Sequence, residues 1–476
     1  MIGNRTLPES AVTRWSWVQR QEGSDGGLGL NDSHRTTCHR QRVLLSVKSI
    51  PLARPFLAAL DQVVVSGTAF VSTVLVGRWS GPSELGRYKV VLSVLGTLLA
   101  LQTALILLPY AIQRHRKMRA PAVNAGIALL QNTILAGAVT AALGLAAAVT
   151  LVAGADTKLS WLMFALLLAA PFALQREFSR YYAFAHLHVA KALMLDLAVA
   201  ALQIAALGWL RWTDRLSAFG ACAALGGACA LASAVWLYQE RANFILTNGH
   251  LREVTIDTWT LARWFCAGQI AYSVQCYASY WLLPVLLGMA QTGVYAACEA
   301  VASLANPLVI AFRNLLTPRS VLAFKDGGHA GLRRQAMRDA LLLAGGMSIF
   351  CLVIFASGEA ILRLLFHTES TGAGHVVTVL AVAMMASAVG SPASYALAGM
   401  ERPRATAGAT SLGAVVTVIM LCILSSRWGL PGAAYGFLAG SVVASVARWA
   451  AFLTVFAKSA AHREHFVGAA KEKLEF

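Results

Sequence analysis

A carboxylate lies in the middle of an apolar stretch: Glu299 belongs to QTGVYAACEAVASLANPLV, residues 291–309. A charged side chain at the centre of a membrane helix costs about 3 kcal/mol on insertion scales, so it usually faces a water-filled cavity or an ionic partner. A stripe on the same helical face continues with Ser303, Asn306, Ile310 and Arg313. We therefore expect this face to line a cavity in which Glu299 binds a substrate or a coupling ion.

Three other apolar segments carry polar stripes of the same kind, with Asp61, Thr68 and Ser72; Lys89, Ser93 and Thr97; and Gln269, Tyr272, Ser273, Cys276 and Tyr280. Serine and threonine in such helices often bond only to neighbouring backbone. Asp61 and Lys89 could also lie at span ends, where long or charged side chains reach the interface. The candidates for the substrate cavity are Asp61, Arg78, Arg87, Lys89, Gln269, Tyr272, Tyr280, Glu299, Asn306 and Arg313. Glu299 and Asp61 are also the candidates for binding a coupling ion, a proton or Na⁺.

The segments that carry these residues have the composition of membrane-spanning helices. Of the 476 residues, 57% are hydrophobic and 13% are charged, about half the charged fraction of a soluble domain, and the mean hydropathy is +0.62. Apolar runs of about 20 residues alternate with short polar clusters. We predict an all-α polytopic membrane protein with about 12 transmembrane helices. The predicted spans are 55–77, 88–110, 126–153, 160–180, 190–210, 217–238, 262–287, 293–316, 339–357, 376–399, 406–425 and 431–456.

The distribution of basic residues supports both this count and an orientation. With both termini in the cytoplasm, the inner segments carry 30 of the 39 Lys and Arg residues and the outer loops carry 8, while Arg448 lies within the last span. Cytoplasmic loops of membrane proteins carry such an excess. The asymmetry accounts for the net charge of +17, so no nucleic acid is expected as a partner. We predict a multi-pass protein of the cell inner membrane with cytoplasmic termini.

The chain also contains an internal repeat. Residues 74–96, VLVGRWSGPSELGRYKVVLSVLG, resemble residues 284–306, PVLLGMAQTGVYAACEAVASLAN, and the Gly-x-Tyr motifs at Gly86 and Gly293 are 207 positions apart. Because each half then holds six spans, the halves are predicted to be parallel repeats related by pseudo-two-fold symmetry. We assign 51–250 to an N-terminal six-helix bundle and 251–458 to a C-terminal one. Residues 1–50 are predicted to be a disordered cytoplasmic tail or a mis-annotated start, and 459–476 a cytoplasmic tail.

Three stretches carry a family resemblance: FVSTVLVGRWSGPSELGRYKVVLSV (70–94), VYAACEAVASLANPLVIAFRNLLTPR (294–319) and GLPGAAYGFLAGSVV (429–443). They resemble the Wzx-type polysaccharide flippases, a family of the multidrug/oligosaccharidyl-lipid/polysaccharide exporter superfamily. The resemblance implies two six-helix bundles arranged as a V. It also implies an undecaprenyl-pyrophosphate-linked oligosaccharide as cargo, moved to the outer leaflet by alternating access for O-antigen, lipopolysaccharide or exopolysaccharide synthesis.

The same resemblance implies antiport with a proton or Na⁺, contact with membrane lipids, and a polysaccharide polymerase or assembly proteins as further partners. A pyrophosphate would bind Arg or Lys in the chamber. Two other functions stay open. One is a cation-coupled multidrug exporter of the same superfamily, which needs acidic and aromatic cavity residues. The other is a membrane-embedded polysaccharide polymerase or ligase, although short outer loops offer such an enzyme few catalytic groups. We expect no enzyme activity, cofactor or metal.

Overall fold

The computed structural model describes residues 53–114, 121–152, 157–246, 251–367, 372–400 and 403–472. The predicted tail 1–50 lies outside these residues. In the described ranges the regular structure is helical throughout, without a β-strand. The α-helices are α1 (Ala53–Ser80), α2 (Pro82–Gln102), α3 (Leu108–Arg114), α4 (Pro121–Val152), α5 (Thr157–Ala185), α6 (Val189–Trp212), α7 (Ala218–Glu240), α8 (Leu251–Leu286), α9 (Met289–Ala302), α10 (Asn306–Phe366), α11 (Ala373–Gly399), α12 (Pro403–Trp428) and α13 (Leu430–Glu472).

The predicted spans coincide with these helices, so the all-α prediction is confirmed. A π-helical turn at Thr103–Leu107 joins α2 to α3, and a 3₁₀ turn at Ser303–Ala305 joins α9 to α10. The last part of the eighth predicted span and the whole of the ninth lie in α10, which is continuous except at Gly328, where φ is 57° and ψ is −148°. A positive φ of this kind favours glycine, so Gly328 marks the boundary between the two spans.

Nine helices among the described residues are long and apolar enough to cross a membrane. The fourth, seventh and eighth predicted spans are not among them. The helices at these positions, α5, α8 and α9, carry the Arg and Glu residues or the polar stripes noted in the sequence, and α9 has only 14 residues.

The two halves of the chain meet through α2, α8 and α9. Helix α2 packs against α9 and α8, while α8 also packs against α12 in the C-terminal half. Within the N-terminal half α5 packs against α4, α6 and α7, and within the C-terminal half α13 packs against α11 and α12. Residues on α8 can thus face the other half on one side and their own half on the opposite side.

The internal repeat is present in the backbone. Gly81 precedes α2 with φ 84° and ψ 172°, and Gly288 precedes α9 with φ 87° and ψ 168°. Both φ values lie in the left-handed region that glycine adopts without steric cost. These two glycines are separated by 207 positions, as Gly86 and Gly293 are. The same turn therefore starts the second helix of each half.

Contacts at the α2–α9 crossing are reciprocal. A Cβ atom on Gly86 would overlap the carbonyl oxygen of Met289, and a Cβ atom on Gly293 would overlap the carbonyl oxygen of Pro82. Met289 and Pro82 are themselves equivalent positions of the repeat. In a two-fold symmetric contact, the same pair of positions meets twice, once from each side. The reciprocal contact between α2 and α9 therefore confirms the predicted pseudo-two-fold symmetry. Small residues allow this close backbone approach in membrane helices.

Candidate functional site

Glu299 forms an ion pair between the two halves of the chain. Its Oε2 atom lies 3.4 Å from the Nζ atom of Lys89 on α2, and the hydroxyl of Tyr280 on α8 donates a hydrogen bond of 2.9 Å to the same oxygen. The side chains of Lys89 and Glu299 are 16% and 28% exposed. Burial of an ionised carboxylate requires such a counter-charge and hydrogen bonds. The pair thus neutralises Glu299 while joining α2 to α9.

Aromatic residues of α8 and α9 surround this ion pair. The indole Nε1 of Trp281 donates to Ser93 Oγ at 3.0 Å, which is a second polar link between α8 and α2. The rings of Tyr280 and Tyr295 meet edge to face with centroids 5.8 Å apart, and Ser279 donates to the Tyr295 hydroxyl at 3.1 Å. We call Lys89, Tyr280, Trp281 and Glu299 the inter-half junction. Separation of α2 from α8 and α9 requires the Lys89–Glu299 and Trp281–Ser93 links to break.

A second group of charges lies inside the N-terminal half. Arg180 on α5 donates to Asp61 on α1 at 2.7 Å and to Asp196 on α6 at 2.8 Å. Arg176 donates to Asp196 at 2.5 Å and to Glu177 at 3.1 Å, and Arg180 also reaches Glu177 at 3.3 Å. The side chains of Asp61 and Asp196 are fully buried. We call these five residues the N-half ion cluster, and it ties three helices together.

This cluster corrects one sequence-based expectation. Asp61 does not reach an interface at a span end, because its carboxylate is buried and bound by Arg180. Arg176 and Arg180 are largely buried at the end of the fourth predicted span, where three carboxylates solvate them in place of water. The sequence did not assign Arg176, Glu177, Arg180 or Asp196 to a site. The charged residues at the end of the fourth predicted span were the available sequence signal for this cluster. Their partners Asp61 and Asp196 lie on other helices, at sequence separations that no helical pattern predicts.

Two arginines of the C-terminal half, Arg313 and Arg448, lie within the helices. Arg448 on α13 is 6% exposed, and its guanidinium donates to Thr410 Oγ1 at 3.3 Å. Arg313 on α10 is partly buried. The buried Nε atoms of both arginines have no hydrogen-bond partner in the part of the chain that the structure describes. Among the described residues, neither guanidinium belongs to a salt bridge.

The remaining candidates lie apart from the junction. Arg78 is half-buried and donates to the carbonyl oxygen of Leu364 at 2.7 Å. Arg87 pairs with Glu84, and both line a cavity of about 180 Å³ with Trp161 and Phe219. Gln269 and Asn306 are partly buried. The structure therefore brings Lys89, Tyr280 and Glu299 into one site. Tyr272 is exposed, and Asp61, Arg78 and Arg87 contact other residues away from this site.

Comparisons with solved structures agree with this architecture. An inward-facing multidrug resistance MATE family transporter of the MOP superfamily matches with a TM-score of 0.68 and 15% identity over 84% of this chain and 98% of that one. The chain has a MATE-like fold. An outward-facing structure of such a transporter matches this fold with a TM-score of 0.63 and 15% identity, over 85% of this chain and 96% of the other.

A third solved structure with the MATE-like fold is a MOP superfamily transporter from Pyrococcus furiosus Vc1 (DSM3638), described as having a binding pocket of reverse polarity that suggests a different function. It matches with a TM-score of 0.63 and 14% identity over 85% of this chain and 95% of that one. No protein-family model matches the sequence, and no curated protein matches it. The fold is thus assigned by structural likeness.

Proposed function

We propose that this protein is a flippase for an undecaprenyl-pyrophosphate-linked oligosaccharide in the cell inner membrane. It moves the cargo from the cytoplasmic leaflet to the outer leaflet by alternating access, with both termini in the cytoplasm, for surface polysaccharide synthesis. The cargo has a polar sugar, an anionic diphosphate and a lipid tail. Such a molecule needs a polar chamber for the head group and a lateral gap for the tail, and two helical halves that meet at a limited contact provide both.

The observation that carries this proposal is the balance of charges inside the helices. Asp61, Asp196 and Glu299 each bind an arginine or lysine of the protein. Arg313 and Arg448 have no such counter-charge among the described residues. An exporter of cationic drugs needs carboxylates that are free to bind cargo. An anionic cargo instead needs free guanidinium groups, as this interior has.

The inter-half junction supports alternating access. Lys89 and Glu299 hold α2 and α9 together at one position along the helices, where Gly86 and Gly293 also permit close contact. Protonation of Glu299 would remove its charge and weaken the bond to Lys89, because the attraction between two opposite charges becomes a hydrogen bond between an ammonium group and a neutral carboxyl group. Glu299 is therefore our candidate for coupling an ion gradient to opening, with Asp61 as a second.

Structural neighbours support transport as the general function. The multidrug resistance transporters of this fold are described in inward-facing and outward-facing conformations. The Pyrococcus furiosus neighbour is described as having a pocket of reverse polarity, which parallels the uncompensated arginines of this chain. The multidrug exporter is the rival function, because Tyr272 is 42% exposed near the proposed chamber and could contact an aromatic or cationic drug.

Deletion of the gene tests the proposal. We expect loss of surface polysaccharide and accumulation of a lipid-linked oligosaccharide that an added, membrane-impermeant glycosidase cannot reach in intact spheroplasts. Re-expression of the parent chain should restore both. Unchanged polysaccharide together with increased sensitivity to cationic drugs would support the multidrug exporter and contradict the flippase.

A further inference from the structure

We infer that the outward face of α10 carries a binding site for the headgroup of an anionic phospholipid. The site is a shallow groove of about 400 Å³, lined by Ala330, Arg333, Arg334, Met337, Arg338 and Leu341. Arginines make up half of this lining, and no acidic residue belongs to it. The inference concerns the lipid that surrounds the protein, so it holds whichever cargo the chain transports.

The groove lies on the side of α10 that points away from the C-terminal half. The opposite side of the helix is apolar and buried, with Leu332 and Ala336 in one cluster with Ala393 of α11. Helix α10 packs against α11 over this side. Arg334 and Arg338 are exposed. The groove is therefore separate from any chamber between the two halves of the chain.

Beyond the groove, the same exposed face of α10 becomes apolar. Leu341, Ile349 and Leu352 are 66%, 66% and 68% exposed, and they continue the face of Arg334 and Arg338 at helical spacing. This helix is long and apolar enough to cross a membrane, so such side chains contact acyl chains. Arg338 precedes Leu341 by about 5 Å along the helix axis. The arginines therefore lie where acyl chains give way to headgroups.

The charge of the groove is not neutralised by nearby carboxylates. Arg334 and Arg338 make no ion pair or hydrogen bond with other residues that the structure describes. Asp339, which follows Arg338 in the chain, is buried on the other side of α10. There Arg319 donates to it at 3.3 Å and Gln335 at 3.1 Å. Anionic headgroups are attracted to basic residues at a membrane surface, and guanidinium groups bind phosphate oxygens through paired hydrogen bonds.

A phospholipid matches this groove better than a free anion or an acidic protein does. Its phosphate can bind Arg334 and Arg338 while its acyl chains lie along Met337 and Leu341, which are also exposed. A free anion would contact the arginines alone, and a protein would not reach the part of the face inside the bilayer. In the proposed orientation the groove faces the cytoplasmic leaflet, whose anionic lipids attract basic segments next to membrane helices.

The test is titration of phosphatidylglycerol into the purified full chain in a neutral detergent, with thermal unfolding at constant ionic strength as the readout. We expect phosphatidylglycerol to stabilise the parent chain, and its apparent affinity to fall at least tenfold in the double variant Arg334→Gln, Arg338→Gln. The double variant Arg334→Lys, Arg338→Lys keeps both charges and should lose less affinity.

The matched control is the double variant Arg363→Gln, Arg427→Gln. It removes the same charge from two exposed arginines at the C-terminal ends of α10 and α12, and it should bind phosphatidylglycerol as the parent does. All these substitutions change exposed side chains, so each variant should melt at the parental temperature before lipid is added.

Three results would overturn the assignment. The first is parental affinity in the Arg334→Gln, Arg338→Gln variant. The second is equal stabilisation of the parent by phosphatidylcholine, which carries no net charge. The third is full stabilisation by inorganic phosphate that the same variant loses, because the groove would then bind a free anion and not a lipid.

Discussion

Gly86 and Gly293 approach the backbone of each other's helix, although 207 residues separate them in the chain. Gly86 lies against the carbonyl group of Met289, and Gly293 lies against that of Pro82. The contact joins the second helix of each half at equivalent positions. It explains why the Gly-x-Tyr motif occurs twice: each copy supplies the small residue that the other copy needs.

Alanine at either glycine should destabilise this crossing, because the added methyl group meets backbone that has no flexible side chain to move. We expect Gly86→Ala and Gly293→Ala each to reduce the free energy of unfolding by about 1–3 kcal/mol. Thermal unfolding in detergent measures the change. Gly67→Ala is the matched control, since no atom lies within 4 Å of its added Cβ. Equal melting temperatures for the three variants would contradict the close crossing.

Lys89 and Glu299 should be energetically coupled. Glu299→Gln leaves Lys89 without its counter-charge, and Lys89→Gln leaves Glu299 bound by Tyr280 alone. In a double-mutant cycle, we expect a coupling energy of about 1 kcal/mol, reduced because both side chains are partly exposed. Additive effects of the two substitutions would show that the ion pair does not hold the halves together.

The same substitution tests the role of Glu299 in transport. Glu299→Gln keeps the size of the side chain and a hydrogen-bonding group but removes the titratable carboxylate. We expect surface polysaccharide output to fall at least tenfold in cells that express the variant at the parental level. Quantification of surface polysaccharide beside an immunoblot provides the measurement. Parental output would exclude Glu299 from the coupling mechanism.

Arg180 should be important for stability of the N-terminal half. It binds Asp61, Asp196 and Glu177, and Arg180→Gln leaves these carboxylates with Arg176 as their remaining cation in the cluster. Loss of one partner from a buried ion pair costs about 3–5 kcal/mol. Arg211→Gln is the comparison, because it breaks an exposed ion pair: the Arg211 side chain is 45% exposed and that of its partner Asp214 is 84% exposed. This substitution should lower the free energy of unfolding by at most about 1 kcal/mol. Similar melting temperatures for the two variants would contradict a structural role for the cluster.

The helices and the repeat could be predicted from the sequence because their signals are local. Runs of apolar residues define the spans, and the motifs at Gly86 and Gly293 can be recognised side by side. The equivalence between the two halves extends to the tyrosines of the motif and to their serine partners. Ser72 lies beside Tyr88, and Ser279 donates to Tyr295. The two tyrosines are 207 positions apart, and so are the two serines. Tyr88 and Tyr295 are both buried at this contact.

Pairing between distant charges could not be predicted in this way. Glu299 was recognised as a buried carboxylate and Lys89 as a stripe residue, but no spacing rule connects two positions 210 residues apart. Asp61 and Arg180 are similarly remote, and the sequence placed Asp61 on a polar stripe without indicating its partner. Arg448 was counted as a charge within the last span. That it has no carboxylate partner among the described residues is visible only when the neighbouring helices are in place.

We propose that this chain moves an anionic lipid-linked sugar and not a cationic drug. The most direct measurement uses the purified protein in liposomes with a fluorescent polyprenyl-diphosphate oligosaccharide in the membrane, and a fluorescent quaternary ammonium compound as the competing cargo. We expect the labelled sugar to reach the opposite leaflet faster than in protein-free liposomes, while the cation stays in place. Transport of the cation with no movement of the lipid-linked sugar would contradict the account.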